Sequence, residues 1–180
     1  TALSSLRVLL IDSGEQLELL EHRIVFPSLS DFRLSEEAQQ LASVRVGIAG
    51  LGSVGSKAAI SLARAGVRKF LLVDDDYLSP GNIVRHELSW AYVGTHKVRA
   101  MRDALSLIAP AVRVDAMTTR LAGQESAVSA AAALKDLASC DLLIDATANP
   151  EVFLLLAALA RKNGKPLCWA EVFAGGYGGM

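Results

Sequence analysis

The residues most able to do chemistry lie between Val44 and Lys97. Gly50-Leu-Gly52-Ser53-Val-Gly55 follows an apolar run, Val44–Ala49, and a small-residue helical stretch follows the glycines. A second apolar run, 69–73, ends on Asp74-Asp75-Asp76. In a strand–turn–helix setting each glycine has a physical task. Gly50 permits the sharp turn, Gly52 lets backbone approach a phosphate, and Gly55 lets the helix pack closely on the strand. The helix that starts at Ser53 would present unpaired N–H groups and a positive dipole end to an anion. Asp74 stands at the spacing of an acid that hydrogen-bonds ribose hydroxyls. The pattern is that of a nucleotide site, and alone it is most often an NAD or FAD site of an oxidoreductase.

The loop after Asp76 departs from that default. Asn82, Arg85 and Lys97 follow in order, with Lys97 opening the next helix, where a cation opposes the helix dipole. An Arg fork and a Lys point charge near strand ends suit a triphosphate better than a dinucleotide. His86 and His96 flank these residues and read as capping or surface groups, and Asp75 reads as solvated loop charge. Trp90 and Trp169 read as core or interface residues.

These residues require a scaffold, and the remaining sequence supplies one. Strands are expected at 44–49, 69–73, 112–116, 140–145 and 167–173, alternating with helices at 53–65, 97–108, 125–138 and 151–162 and helix-like material at 83–89. Apolar strands alternating with helices give a Rossmann-like α/β fold, a mostly parallel sheet with helices on both faces. Gly66 stands where a helix C-cap belongs. Residues 1–43 are set apart as a linker or the remnant of a preceding module. Within them a strand is expected at Leu6–Ile11, closed by Asp12-Ser-Gly14. Helical spacing runs over Glu15–Arg23, Phe26–Ser30 breaks it, and another helix is expected at Asp31–Ala42. Residues 44–180 form the nucleotide-binding domain.

Composition narrows the class of function. In 180 residues, 52% are hydrophobic and the net charge is −1, which gives no electrostatic footprint for nucleic acid. Apolar runs fall short of the roughly 18 residues that a membrane span needs. Cys140 and Cys168 have no metal-ligand spacing and read as buried free thiols of a reducing, cytoplasmic setting. The chain starts without Met and stops at Gly-Gly-Tyr-Gly-Gly-Met180, which reads as a piece of a longer protein.

Taken together, Gly50-Leu-Gly52-Ser-Val-Gly55, Leu62-Ala-Arg-Ala-Gly66-Val, Val73-Asp74-Asp-Asp76, Asn82-Ile-Val-Arg85 and Lys97 resemble the ThiF/MoeB/HesA family, the adenylation domain of ubiquitin-activating-enzyme type. The resemblance covers roughly residues 44–175 and implies an enzyme that binds ATP and Mg2+. Its implied reaction adenylates the C-terminal glycine of a ubiquitin-like or sulfur-carrier protein ending in Gly-Gly. By position it implies that Gly50, Gly52, Ser53 and Gly55 line the nucleotide. Asp74 would hold the ribose, Asp76 would support the loop or the metal, and Asn82, Arg85 and Lys97 would contact phosphates. It further implies a homodimer, in which members often donate an Arg from the partner's N-terminal segment. Arg23 lies at about that place, although a plain surface Arg is the simpler reading. One departure stands out. Where the family has Asp-x-Thr-Asp-Asn, this chain reads Asp145-Ala-Thr147-Ala148-Asn149, so the metal-ligating Asp is Ala148 and Asp145 or Asp76 is left to take the metal. That departure keeps a catalytically silent scaffold of the same family open as an alternative.

Overall fold

The computed structural model describes residues 3–12, 17–25, 35–109, 111–122, 127–173 and 178–179. Backbone packing divides the chain into Thr1–Ser35 and Glu36–Met180. In the first unit, β1 (Leu3–Asp12) pairs antiparallel with β2 (Leu17–Val25), Leu9 opposite Leu20 and Leu10 opposite Leu19. From Leu17 on, the helix expected at Glu15–Arg23 is therefore a strand, and its first two residues lie outside the described ones. Its short apolar clusters satisfy helical and extended spacing alike, and the backbone pairing offered by β1 decides between them. The loop expected at 13–14 and the break at 26–30 lie outside the described residues.

The second unit opens with a short helix, α1 (Glu36–Gln40), and a 3₁₀ turn at Leu41–Ser43. Only this end of the helix expected at 31–42 is described. Then come β3 (Arg45–Ala49), α2 (Ser53–Ala65) and β4 (Lys69–Val73), close to expectation, with Gly66 capping α2 at φ +122°. The expected helical stretch at 83–89 is absent. Short 3₁₀ turns at Pro80–Asn82 and Trp90–Tyr92 bracket it. Pro80 starts the first turn, and the Asn82 side chain accepts the Ser79 N–H at 2.9 Å in a capping box that closes it. Helix α3 (Lys97–Ile108), β5 (Arg113–Met117), α4 (Ala127–Ala138), β6 (Leu142–Asp145) and α5 (Pro150–Asn163) complete the alternation. The last expected strand, 167–173, is split. Leu167–Trp169 (β7) stays in the main sheet, while Val172–Phe173 (β8) turns out to pair antiparallel with Gly178–Gly179 (β9).

The main sheet is five-stranded and all parallel, in the order β5-β4-β3-β6-β7. Alternate side chains enter opposite layers, as the period of two requires. Val46, Ile48, Phe70 and Leu72 pack with Ala59, Ala63, Met101 and Leu105 of α2 and α3. Leu71 and Val73 pack with Leu137, Val152 and Leu156 of α4 and α5. Each fully buried Val, Leu, Ile, Phe or Met side chain among these contributes about 1.5–3 kcal/mol. Two cores clamp the sheet, and the C-terminal ends of its strands are fixed where the order reverses between β3 and β6. An open α/β sheet binds its ligands at such a switch point.

Candidate functional site

A cleft of about 240 Å³ opens at that switch point. Gly50 and Gly52 line it after β3, Asp74, Asp75 and Asp76 after β4, Thr119–Ala122 after β5, and Ala146, Thr147 and Asn149 after β6, with Lys97 reaching in from α3. The glycine turn is shaped by contact. Gly50 has φ +83°, and a Cβ there would meet the Ala146 and Thr147 backbone at 2.8 Å. A Cβ on Gly55 would overlap the Gly50 carbonyl oxygen, so α2 packs on the turn itself. Around Gly52 the space is open, as a backbone that receives a ligand requires. Ser53 opens α2 and is not among the cleft-lining residues, and its hydroxyl donates to the Arg85 carbonyl at 3.0 Å.

Asp74 accepts the Leu51 N–H at 2.5 Å and the Asp76 N–H at 2.8 Å. Burial pushes its pKa above the usual carboxylate value, against the pull of those N–H donors and of Lys97. One carboxylate thus ties the glycine turn to the acidic loop and still faces the cleft. Lys97 is buried, 7% exposed, and its Nζ lies 2.6 Å from Asp76 Oδ2. A buried ammonium is costly without such a partner. Asp75, expected to be solvated, pairs with Arg120 at 3.3 Å.

Asn82 and Arg85 are not among the cleft-lining residues. Asn82 is occupied in the Ser79 capping box, and the Arg85 guanidinium reaches the Gly81 carbonyl at 3.4 Å on an exposed surface. The Arg85 main chain is nevertheless gripped, because its carbonyl accepts from both Ser53 Oγ and Lys57 Nζ. The cleft residues that sequence reasoning missed are Thr119, Arg120, Leu121 and Ala122. They follow a strand end without a motif, and only the sheet order brings them beside the glycines.

Four supporting expectations change. His86 is buried rather than superficial, and His96 stacks on Tyr77 at 3.8 Å and makes no side-chain cap to α3. Trp90 is 65% exposed, which removes the core half of its core-or-interface reading and leaves the interface half untested, whereas Trp169 meets Phe153 edge-on at 5.5 Å. Cys140 is buried and its thiol is pushed up to about 11 by desolvation, but Cys168, on edge strand β7, is exposed.

The ThiF family matches residues 27–179. The chain belongs to that family. Uncharacterized protein y4qC of Sinorhizobium fredii is 34% identical over 143 residues, 74% of this chain and 23% of that protein. The sulfur carrier protein ThiS adenylyltransferase of Escherichia coli is 32% identical over 154 residues, 84% of this chain and 57% of that protein. Among solved structures, the E. coli tRNA N6-threonylcarbamoyladenosine dehydratase TcdA in complex with AMP superposes with TM-score 0.66 at 26% identity, over 81% of this chain and 61% of that one. The chain therefore spans about a quarter to three-fifths of these relatives.

At the end of β6 of this ThiF-family chain, the position where the resemblance leads one to expect an acid has a distinctive backbone. Ala148 adopts φ +54°, a left-handed conformation in which Asp and Asn are several-fold enriched and Ala is strained. Asp145 is 4% exposed, and its Oδ1 accepts both the Thr147 N–H at 3.0 Å and the Thr147 hydroxyl at 2.7 Å. It lines a separate cavity of about 80 Å³ with Ala148, Asn149, Phe153, Trp169 and Glu171. Among the described residues, Asp74, Asp75 and Asp76 are the acidic group whose oxygens lie within 4.8 Å of one another. Hard oxygen donors of this kind fit a magnesium ion. No helix among the described residues is long and apolar enough to cross a membrane.

Proposed function

We propose that the chain is an adenylation domain that binds ATP and activates the C-terminal glycine carboxylate of a ubiquitin-like or sulfur-carrier protein ending in Gly-Gly. The observation that carries this reading is the cleft itself. An open glycine turn, a ribose-height acid (Asp74) and a buried cation (Lys97) converge at the switch point of a ThiF-family sheet. In the reaction, a carboxylate oxygen of the carrier attacks the α-phosphorus, the bond to the β-phosphate breaks, and pyrophosphate leaves. The carrier supplies the nucleophile, so the protein needs no attacking side chain. Its work is to hold two anions in line and to neutralise charge that grows on the α-phosphate and the leaving group.

In this reading the N–H groups of Gly52 to Gly55, left without partners within α2, face the phosphates. Lys97 exchanges Asp76 for a phosphate oxygen. Arg85 turns from its long bond to Gly81, and Asn82 follows from its turn. Leu121 and Ala122 offer an apolar wall to a base. Asp76, with Asp74 and Asp75, would hold magnesium, which when bound supplies charge neutralisation on the phosphates, while Asp145, the acid expected to take the metal, lines the separate cavity. A homodimer in the cytoplasm belongs to the same proposal.

ATP–pyrophosphate exchange with carriers ending in Gly-Gly tests it. Exchange that needs the carrier and disappears in Lys97→Met supports the reading. ATP binding without exchange favours the silent scaffold, for which Ala148 is the specific observation, and binding of NAD in place of ATP sinks both.

A further inference from the structure

The glycine turn is held from two sides, by a carboxylate and by an imidazole. Leu51, between Gly50 and Gly52, gives its N–H to Asp74 and its carbonyl to His86 Nε2 at 2.7 Å. The other ring nitrogen of His86, Nδ1, accepts the Leu88 N–H at 3.1 Å. An N–H that points at Nδ1 requires a lone pair there. The ring is therefore neutral with its proton on Nε2, the tautomer that donates to Leu51. His86 is 9% exposed and stands one residue after Arg85, whose carbonyl is gripped by Ser53 and Lys57 of α2. Glu87 adds its N–H to Ser56 Oγ at 3.4 Å. The segment 85–88 is thus laced to the start of α2 and to the turn before it, and His86 is the one member that reaches the turn.

We propose that His86 is a positioning residue for nucleotide binding: neutral, it locks the Leu51 carbonyl and the Arg85–Leu88 segment into one unit, and protonated, it releases them. An imidazolium has N–H on both nitrogens. Its Nδ1–H would face the Leu88 N–H, so the bond becomes a donor–donor clash and the ring must turn away from Leu51. The charged groups that face the ring favour the neutral form on balance. Lys57 from α2 and Lys97 from α3 oppose the imidazolium together with burial, while Asp74 at the end of β4 and the Leu51 carbonyl favour it. Burial holds the ring's pKa below the ordinary histidine value, so the lock is closed near neutrality and opens only as pH falls through that lowered pKa. This inference rests on the nucleotide-binding reading above.

The test is ATP binding by calorimetry from pH 7.5 to 5, on the wild-type chain, His86→Gln and His86→Leu, with the ring 15N shifts of His86 recorded over the same range. Gln places an amide donor and a carbonyl acceptor on one side chain and does not titrate. Expected are a wild-type affinity that falls at least fivefold beyond the loss seen for His86→Gln, and a His86→Leu affinity about tenfold weaker at every pH. The Nε2–H tautomer should show at neutral pH. Protonation of ATP itself is common to all three proteins and cancels in the comparison. Parallel pH profiles for wild type and His86→Gln, or a ring carrying its proton on Nδ1, overturn the proposal even if His86→Leu fails to fold. A wild-type chain that binds no ATP at any pH while showing the Nε2–H tautomer overturns the functional reading and, with it, the role given to His86.

Discussion

Two loops leave the sheet side by side at the switch point, and they are built in opposite ways. The glycine turn after β3 is over-determined: Gly50 sits against the Ala146 and Thr147 backbone, Gly55 against the Gly50 carbonyl, and the Leu51 peptides are held by Asp74 and His86. The loop after β6 carries an alanine at φ +54° and an acid turned back on its own Thr147. The first loop is packed tightly at Gly50 and Gly55 and open at Gly52. The second has Ala148 at the position where the resemblance leads one to expect an acid, on a backbone shape that suits Asp or Asn. In the proposed reading, nucleotide holding belongs to the first loop and metal holding to the second, so the two are separable by substitution.

The sharpest way to break the comparison is to strain the rigid side. Gly55→Ala drives a methyl into the Gly50 carbonyl, and no side-chain rotation can relieve a backbone contact. Overpacking of this kind costs about 3 kcal/mol, which thermal denaturation should show as a large fall in Tm with ATP binding lost in whatever remains folded. Next in size is Lys97→Met. The apolar stem is kept, the cation is removed, and Asp76 loses its 2.6 Å partner. Loss of a positioned charge at a developing anion costs about 10²–10³ in rate, read by pyrophosphate exchange while folding is followed by circular dichroism.

On the side of the second loop the expected effects are smaller, and the first is of opposite sign. Ala148→Asp returns a carboxylate to a backbone already shaped for it, and exchange should rise about tenfold, roughly 1.4 kcal/mol, most of all at low magnesium. A gain confined to thermal stability would mean that the metal is held elsewhere, with the oxygens of Asp74–Asp76 the first alternative. Asn149→Ala removes the oxygen that accepts the Glu151 and Val152 N–H groups at the start of α5. Loss of such a cap costs about 1 kcal/mol, measurable by urea denaturation.

How much of this was legible in the sequence divides along the same line. Gly50, Gly52 and Gly55 announce a turn because only backbone reasons explain three glycines at that spacing, and β4 and α2 fall within a residue of expectation for the same reason of strong, local patterning. Helices from 97 and 150 are equally plain, stopped by Ala109–Pro110 and by Gly164 at φ +61°. What stayed hidden depends on distant partners. Leu17–Val25 is a strand only because β1 lies beside it, and Arg120 reaches the cleft only because β5 stands next to β4. Asn82 and Arg85 could be numbered from a motif, but their present partners, Ser79 and Gly81, are local ones that spacing does not disclose.

The smallest prediction separates the two reasons that position 148 can matter. Ala148→Asn leaves the loop without a new charge but suits φ +54°, because a short amide side chain tolerates the left-handed region by bonding to nearby backbone. Stability should rise by about 0.5 kcal/mol, a part of the roughly 1–2 kcal/mol that the left-handed region costs an L-residue, and exchange should show no gain. Ala148→Asp should match that stability gain and add the gain in exchange. If Asn and Asp raise exchange equally, the loop's strain rather than its missing carboxylate limits the reaction, and the separation of nucleotide holding from metal holding fails. If neither raises stability, the left-handed turn is held by its neighbours Thr147 and Asn149, whose mutual bond of 3.2 Å from the Asn149 N–H to the Thr147 hydroxyl would then set the backbone whatever residue stands between them.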